Sequence, residues 1–175
     1  MGIVMKLIII NGPPGVGKST LAKRLHTEMP MSLLVEADDW RRMISAWQEH
    51  RVESQVLNYS IVSAAVSEAL RRGTNVIVDK AILTYDEALT SLEKVGADNN
   101  AEVYEFLITA TLEAVLQRAQ TRGYRPESIL NPEMVTERWH QAETLYLRRP
   151  TVTHIDTTGL THDAVYEAVR RVVLG

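Results

Sequence analysis

Met5-Lys6-Leu7-Ile8-Ile9-Ile10-Asn11-Gly12-Pro13-Pro14-Gly15-Val16-Gly17-Lys18-Ser19-Thr20 takes the chain from an apolar run through a glycine-rich loop into a helical pattern. Gly12 to Ser19 fits G-x-x-x-x-G-K-S/T at every fixed position. The run before it, Met5–Ile10, reads as a core strand. After it, Lys18–Met29 reads as an amphipathic helix with Leu21, Ala22 and Leu25 on one side and Lys23 and Arg24 on the other. Strand, loop and helix in this order make a phosphate cradle. Glycines let the N–H groups of Gly15, Val16, Gly17 and Lys18 converge on phosphate oxygens without a Cβ in the way. The helix that begins near Gly17 adds the positive end of its dipole. Lys18 is expected to reach the β- and γ-phosphates and the Ser19 hydroxyl to bind Mg²⁺. Pro13, Pro14 and Thr20 complete the expected nucleotide contacts. The loop alone leaves the fate of the γ-phosphate open, because kinases, hydrolases and switches all use it.

Outward from the loop, short β-branched runs alternate with longer helical patterns. The strands are expected at Met5–Ile10, Leu33–Glu36, Asn75–Val78, Val103–Ile108 and Val152–Ile155. The helices are expected at Lys18–Met29, Asp39–His50, Ser54–Arg72, Tyr85–Val95, Leu112–Arg122, Pro132–Arg148 and Thr161–Val173. This alternation specifies an α/β fold, a parallel sheet covered by helices on both faces. Arg71-Arg72-Gly73 gives a helix C-terminus its cations and a following glycine. Asn131-Pro132 supplies an N-cap and a proline at the first helical position. Gly123 to Asn131 is polar and proline-punctuated and joins two helices with no strand between them, so it reads either as a lid, about 122–132, or as an ordinary surface loop.

The 175 residues fit one domain spanning 1–175. Hydrophobic residues are 45% and charged residues 23%, an ordinary soluble balance, and the net charge of −3 argues against a general nucleic-acid binder. The absence of cysteine excludes disulfides, zinc–thiolate sites and thiol nucleophiles. No apolar run approaches the roughly 20 residues of a membrane span, and the N-terminal run leads into the loop without a cleavage site. A cytoplasmic setting is the expectation. Oligomeric state is not readable from the sequence.

Ligands in open parallel sheets bind at the carboxyl ends of strands. Asp38 and Asp39 follow the second expected strand, and Asp79 ends the third, so three carboxylates are expected on the edge that carries the phosphate loop. Phosphoryl transfer to a hydroxyl needs one carboxylate to orient it and accept its proton, and often another to hold the metal. Asp38 is read as base and substrate orienter, or else as the N-cap of the next helix, a place Asp39 can fill instead. Asp79 is read as a metal-holding residue, or as a strand-end turn aspartate. Glu36 points to the same side as Asp38 and is a second metal candidate. Trp40 is read as a wall of the acceptor pocket, and Trp47, seven residues on, as a core residue on the same helix face.

Arg118 and Arg122 lie four apart on one expected helix, and Arg125 follows in the loop. Planar guanidinium forks suit phosphoryl oxygens, although a solvated helix end attracts arginine equally.

These residues together resemble the small P-loop kinases, the nucleoside-monophosphate-kinase-like group. That group includes shikimate and gluconate kinases, polynucleotide 5′-kinases and chloramphenicol phosphotransferases. The resemblance implies a three-layer α/β/α fold with a five-stranded parallel sheet in the order 2-3-1-4-5. It would place Asp79 beside the phosphate loop and Asp38 farther toward an acceptor. In chloramphenicol-phosphotransferase-like members an aspartate after strand two acts as base, and Asp38 occupies that place. Arg118, Arg122 and Arg125 resemble the arginines around the lid that clamp the moving phosphoryl group, and Ile155–Leu160 resembles the loop that packs on adenine. The arginine-rich monophosphate site of adenylate kinases is not evident, and Asp79-Lys80-Ala81 stands where shikimate kinases carry a triple-glycine turn. The resulting expectation is an ATP- and Mg²⁺-dependent phosphotransferase acting on a hydroxyl of a small molecule. A nucleotide or polynucleotide 5′-kinase and a nucleotide-dependent regulatory ATPase are the alternatives.

Overall fold

The computed structural model describes residues 4–82, 84–123 and 130–175. Its five strands are β1 (Lys6–Asn11), β2 (Leu33–Glu36), β3 (Val76–Asp79), β4 (Glu102–Thr109) and β5 (Thr153–Asp156). The helices are α1 (Lys18–Glu28), α2 (Ala37–Arg42), α3 (Arg51–Arg71), α4 (Asp86–Asp98), α5 (Leu112–Arg122), α6 (Pro132–Arg148) and α7 (His162–Leu174). All strands are parallel, in the order β2-β3-β1-β4-β5. The fold is therefore the three-layer α/β/α sandwich that the alternating pattern specified.

β1 lies at the centre, and the alternation of its side chains feeds two separate cores. Ile8 and Ile10 face one layer with Phe106 and Ile108, packed by Leu25 of α1, Val115 of α5 and Val169 of α7. Leu7 and Ile9 face the other with Val76, Val78 and Leu107, packed by Val66 of α3, Leu89 of α4 and Leu145 of α6. Leu7 through Ile10 are all 0% exposed. At about 1.5–3 kcal/mol per fully buried aliphatic side chain, this run is a principal anchor of the sheet.

Several boundaries follow their expected chemistry. The Asn131 side chain accepts from the Met134 amide at 2.7 Å, with Pro132 in the first turn, which starts α6 as the Asn-Pro pair requires. α3 ends just before Gly73, which has a φ of 77°.

The segment expected as a helix over Asp39–His50 departs from expectation. α2 starts earlier, at Ala37, and stops at Arg42; the residues that follow form turns, with Ala46 at a φ of 52°. An interrupting side-chain network accounts for this. Ser54 Oγ donates to the Trp47 carbonyl at 3.1 Å, and Arg41 Nη2 donates to the Arg51 carbonyl at 2.6 Å, which folds 43–50 back onto the start of α3. Trp47 consequently does not share a helix face with Trp40; it lies under the Arg41 guanidinium, 5.0 Å from ring centroid to Cζ. Neither Asp38 nor Asp39 caps α2. Glu36 holds the cap position, without a side-chain capping bond, and both aspartates sit in the first turn.

Candidate active site

The phosphate loop springs from the C-terminal end of β1, and its backbone geometry accounts for its composition. Gly12 has a φ of 144°, and a Cβ there would lie 2.1 Å from the Ile108 carbonyl oxygen, so only glycine fits. Gly17 adopts a left-handed conformation, φ 94°, at the N-cap of α1. No side chain caps that helix and no acidic residue occupies its first turn, which leaves the positive helix end open toward the loop. Lys18 folds back over the loop, its ammonium donating to the Pro13 carbonyl at 3.0 Å. Burial pushes the Lys18 ammonium below its ordinary value, and Arg122 and Lys80 add to this, while Asp79 and Asp38 oppose it. Burial outweighs the two carboxylates at Lys18, so an anion at the loop would restore its charge.

The loop is bolted to the segment after β3 by a residue outside the motif. Asn11, completely buried, accepts from the Gly12 amide at 2.8 Å and from the Ile82 amide at 2.8 Å, and donates to the Ile82 carbonyl at 2.6 Å. The Lys80 amide donates to the Ile10 carbonyl at 3.2 Å. The phosphate loop and residues 80–82 therefore form one hydrogen-bonded unit.

Sheet register brings the carboxylates to one edge. Asp79 pairs with Ile10 of β1 on one side and with Glu36 of β2 on the other. Asp79 is 7% exposed, and burial pushes its carboxyl up, against the pull of Lys18 and of a hydrogen bond from Ser19. Glu36, in contrast, is engaged by Lys23 at 3.0 Å, near the surface. Among the described residues no three His, Asp or Glu side chains converge as a metal cage. A buried carboxylate beside a serine hydroxyl fits a divalent cation that also takes phosphate oxygens.

After the C-terminal end of β2, Asp38 and Asp39 part company. Asp39 pairs with Arg42 on the surface. Asp38 turns toward Lys80, which donates to Asp38 Oδ1 at 2.7 Å. Partial burial pushes the Asp38 carboxyl up, but Lys80, by charge and hydrogen bond, and then Lys18 hold it below the ordinary carboxylate range. Trp40 is half-buried against the core layer that contains Val66 and Leu89. Tyr59 and Tyr85 meet edge to face at 5.7 Å, and the Lys80 ammonium stands 5.4 Å from the Tyr59 ring centroid. Arg41 is braced by Ser54 at 3.1 Å and Gln55 at 3.1 Å, which commits its fork to the protein.

The arginines divide similarly. Arg118 donates to Oγ1 and to the carbonyl of Thr157, both at 3.0 Å, docking α5 onto the loop after β5. Together with Val16, Gly17, Thr20 and Leu160 it lines a small cavity at the side of the phosphate loop. Arg122, the last residue of α5, is exposed and close enough to Lys18 to depress its ammonium. Arg125, and with it the centre of the expected lid, lies outside the described residues.

Sequence reasoning missed Lys80, Asn11 and the Tyr59–Tyr85 pair. A lysine directly after the wholly buried Val76–Asp79 strand, and an asparagine directly before the first motif glycine, were the available signals.

A family model described as AAA domain matches residues 7–150. No curated protein matches the sequence. Among solved structures, the chain is similar to the tunicamycin resistance protein of Deinococcus radiodurans, with 25% identity and a TM-score of 0.65 over 96% of this chain and 95% of that one. It is also similar in fold to thymidylate kinase from Candida albicans, with 16% identity and a TM-score of 0.69 over 99% of this chain and 92% of the other. Deoxyadenosine kinase from M. mycoides, 14% identical, superposes with a TM-score of 0.58 over 95% and 98% of the two chains.

Proposed function

Because the chain belongs to the AAA domain family and has the fold of the small P-loop kinases, we propose that it transfers the γ-phosphate of ATP to a hydroxyl group of a small molecule. The observation that carries this reading is a second carboxylate besides Asp79: Asp79 ends β3 next to β1, and Asp38, held by the buried Lys80 at 2.7 Å, also acts on the charge of Lys18. A hydrolase or switch needs only the first; a hydroxyl acceptor calls for the second.

The N–H groups of Gly15, Val16, Gly17 and Lys18 hold the phosphates, with Gly12, Pro13 and Pro14 shaping the loop. Ser19 and Asp79 would hold Mg²⁺, which supplies charge neutralisation at the phosphates when bound. Asp38 accepts a hydrogen bond from the acceptor hydroxyl and takes its proton as the oxygen bonds to the γ-phosphorus and the bond to the β–γ bridging oxygen breaks. Lys18, with Arg122 and Arg125, stabilises the charge on the moving phosphoryl group. Arg118, Thr20 and the loop after β5 hold the nucleoside end, and Asp39 and Trp40 border the acceptor. The similarity to a tunicamycin resistance protein supports a small toxic compound, such as tunicamycin, as one acceptor to try.

The test is an ATP-consumption screen over hydroxylated metabolites, nucleosides, antibiotics including tunicamycin, and oligonucleotides, with Lys18→Ala as the blank. Turnover that requires one small acceptor supports the reading. Turnover with oligonucleotides, or slow turnover indifferent to any acceptor, assigns the protein to the polynucleotide-kinase or regulatory class instead.

A further inference from the structure

Lys80 heads the large side chains that are almost completely buried, at 2% exposure. A buried ammonium is costly unless it is paired, and here the pairing is selective. Lys80 follows Asp79 directly in the chain, yet its ammonium bonds Asp38, 42 residues away, at 2.7 Å. Asp79 lies instead beside Ser19, whose hydroxyl helps to hold its carboxyl down. The lysine is also fixed in place. Its amide is tied to Ile10, its ammonium sits over the Tyr59 ring, and two residues on Asn11 clamps both polar backbone groups of Ile82. The cation therefore has the same rigid footing as the phosphate loop.

We propose that Lys80 is a positioning residue that reserves Asp38 for the acceptor: it aims the carboxylate and cancels its charge, so that Asp38 does not join Ser19 and Asp79 around the divalent cation. This rests on the reading of Asp38 as the acceptor-facing group. Asp79 and Asp38 both act on the charge of Lys18, so a divalent cation held at the loop attracts both carboxylates, and more strongly where Asp38 is left uncompensated. The Lys80 bond occupies one Asp38 oxygen, while 55% of the Asp38 side chain stays open to solvent. That is the arrangement an incoming hydroxyl needs.

The probe is Mn²⁺ with saturating ADP, followed by electron paramagnetic resonance and titration. Wild type and Lys80→Arg are expected to bind one Mn²⁺ with the same spectrum. Lys80→Met is expected to bind Mn²⁺ about tenfold more tightly, with a changed spectrum as Asp38 becomes a ligand. Lys80→Met/Asp38→Asn is expected to return to wild-type affinity and spectrum, which a packing effect of the methionine would not do. Wild-type Mn²⁺ binding by Lys80→Met, or a gain that survives in the double variant, overturns the proposal. Phosphoryl transfer by Asp38→Asn separates the two levels. Loss of transfer together with unaltered Mn²⁺ binding in Lys80→Met removes only the role of Lys80, whereas normal transfer by Asp38→Asn removes the reading of Asp38 itself.

Discussion

The Lys80 ammonium and the Asp38 carboxylate are 2.7 Å apart, but their burial is unequal: the lysine side chain is 2% exposed and the aspartate side chain 55%. The pair is thus a buried cation held by a half-solvated anion. Removing the anion strands a charge in the interior, whereas removing the cation leaves a carboxylate that water can reach. Asp38→Ala should therefore cost about 3 kcal/mol of stability, and Lys80→Met no more than about 1 kcal/mol. Urea unfolding of the two variants checks the inequality. Equal losses would mean that the pair behaves as an ordinary surface bridge.

Asn11 fills three hydrogen-bonding roles in a fully buried setting. Asn11→Ala leaves the amides of Gly12 and Ile82 and the carbonyl of Ile82 without that partner, and should cost about 2–4 kcal/mol. Because the same bonds shape the phosphate loop, nucleotide affinity should fall as well. Parallel chemical denaturation and fluorescent-nucleotide titration read both effects. A stability loss with undiminished nucleotide affinity would show that Asn11 supports the fold without shaping the loop.

Asp79 and Asp38 respond to pH in opposite senses. Burial raises the Asp79 carboxyl, so its contribution to stability is present below the unfolded-state value and is lost as pH rises through the folded-state one. Asp79→Asn should thus stabilise the ligand-free protein at pH 7, an advantage that fades below about pH 4. The Asp38 carboxyl is lowered on balance, so its contribution is present above the unfolded-state value and is lost as pH falls through the folded-state one. Thermal melts of Asp79→Asn from pH 3 to 8 test the sign. If Asp79 holds the metal as proposed, the same variant should also weaken binding of Mg²⁺-nucleotide.

Arg118 links α5 to Thr157 through two 3.0 Å bonds. Arg118→Met keeps the stem and removes the fork, so the loop after β5 loses its tether. ATP affinity should fall about tenfold, the worth of one charge-assisted hydrogen bond, with kcat less affected than KM. A kcat loss at unchanged KM would place Arg118 on the phosphoryl group instead.

How far the sequence could be read depended on whether the determinant was local. The phosphate loop and the strand–helix alternation are local patterns, and every strand lay within a residue or so of its expected place. The order of the strands came from resemblance, since no single strand encodes its neighbours. The end of α2 is not legible locally because Arg41 and Ser54, which stop the helix at Arg42 and fold the next residues back, act across seven to thirteen residues. Lys80 was invisible for the same reason. Its partner stands 42 residues earlier, and only the adjacency of β2 and β3 brings them together. The division of labour between Asp38 and Asp39 is likewise decided by which one faces Lys80, a matter of helix phase that a two-residue acidic run does not express.

The label of γ-³²P-ATP reports where the phosphoryl group goes. With Mg²⁺ and the acceptor that supports turnover, the label should move to that acceptor and not to inorganic phosphate. Asp38→Asn, which keeps an oxygen for Lys80, should bind ATP normally and transfer label at least a hundredfold more slowly. Label released only as inorganic phosphate whatever the acceptor, or transfer by Asp38→Asn at the wild-type rate, would rule out Asp38-assisted transfer to a hydroxyl.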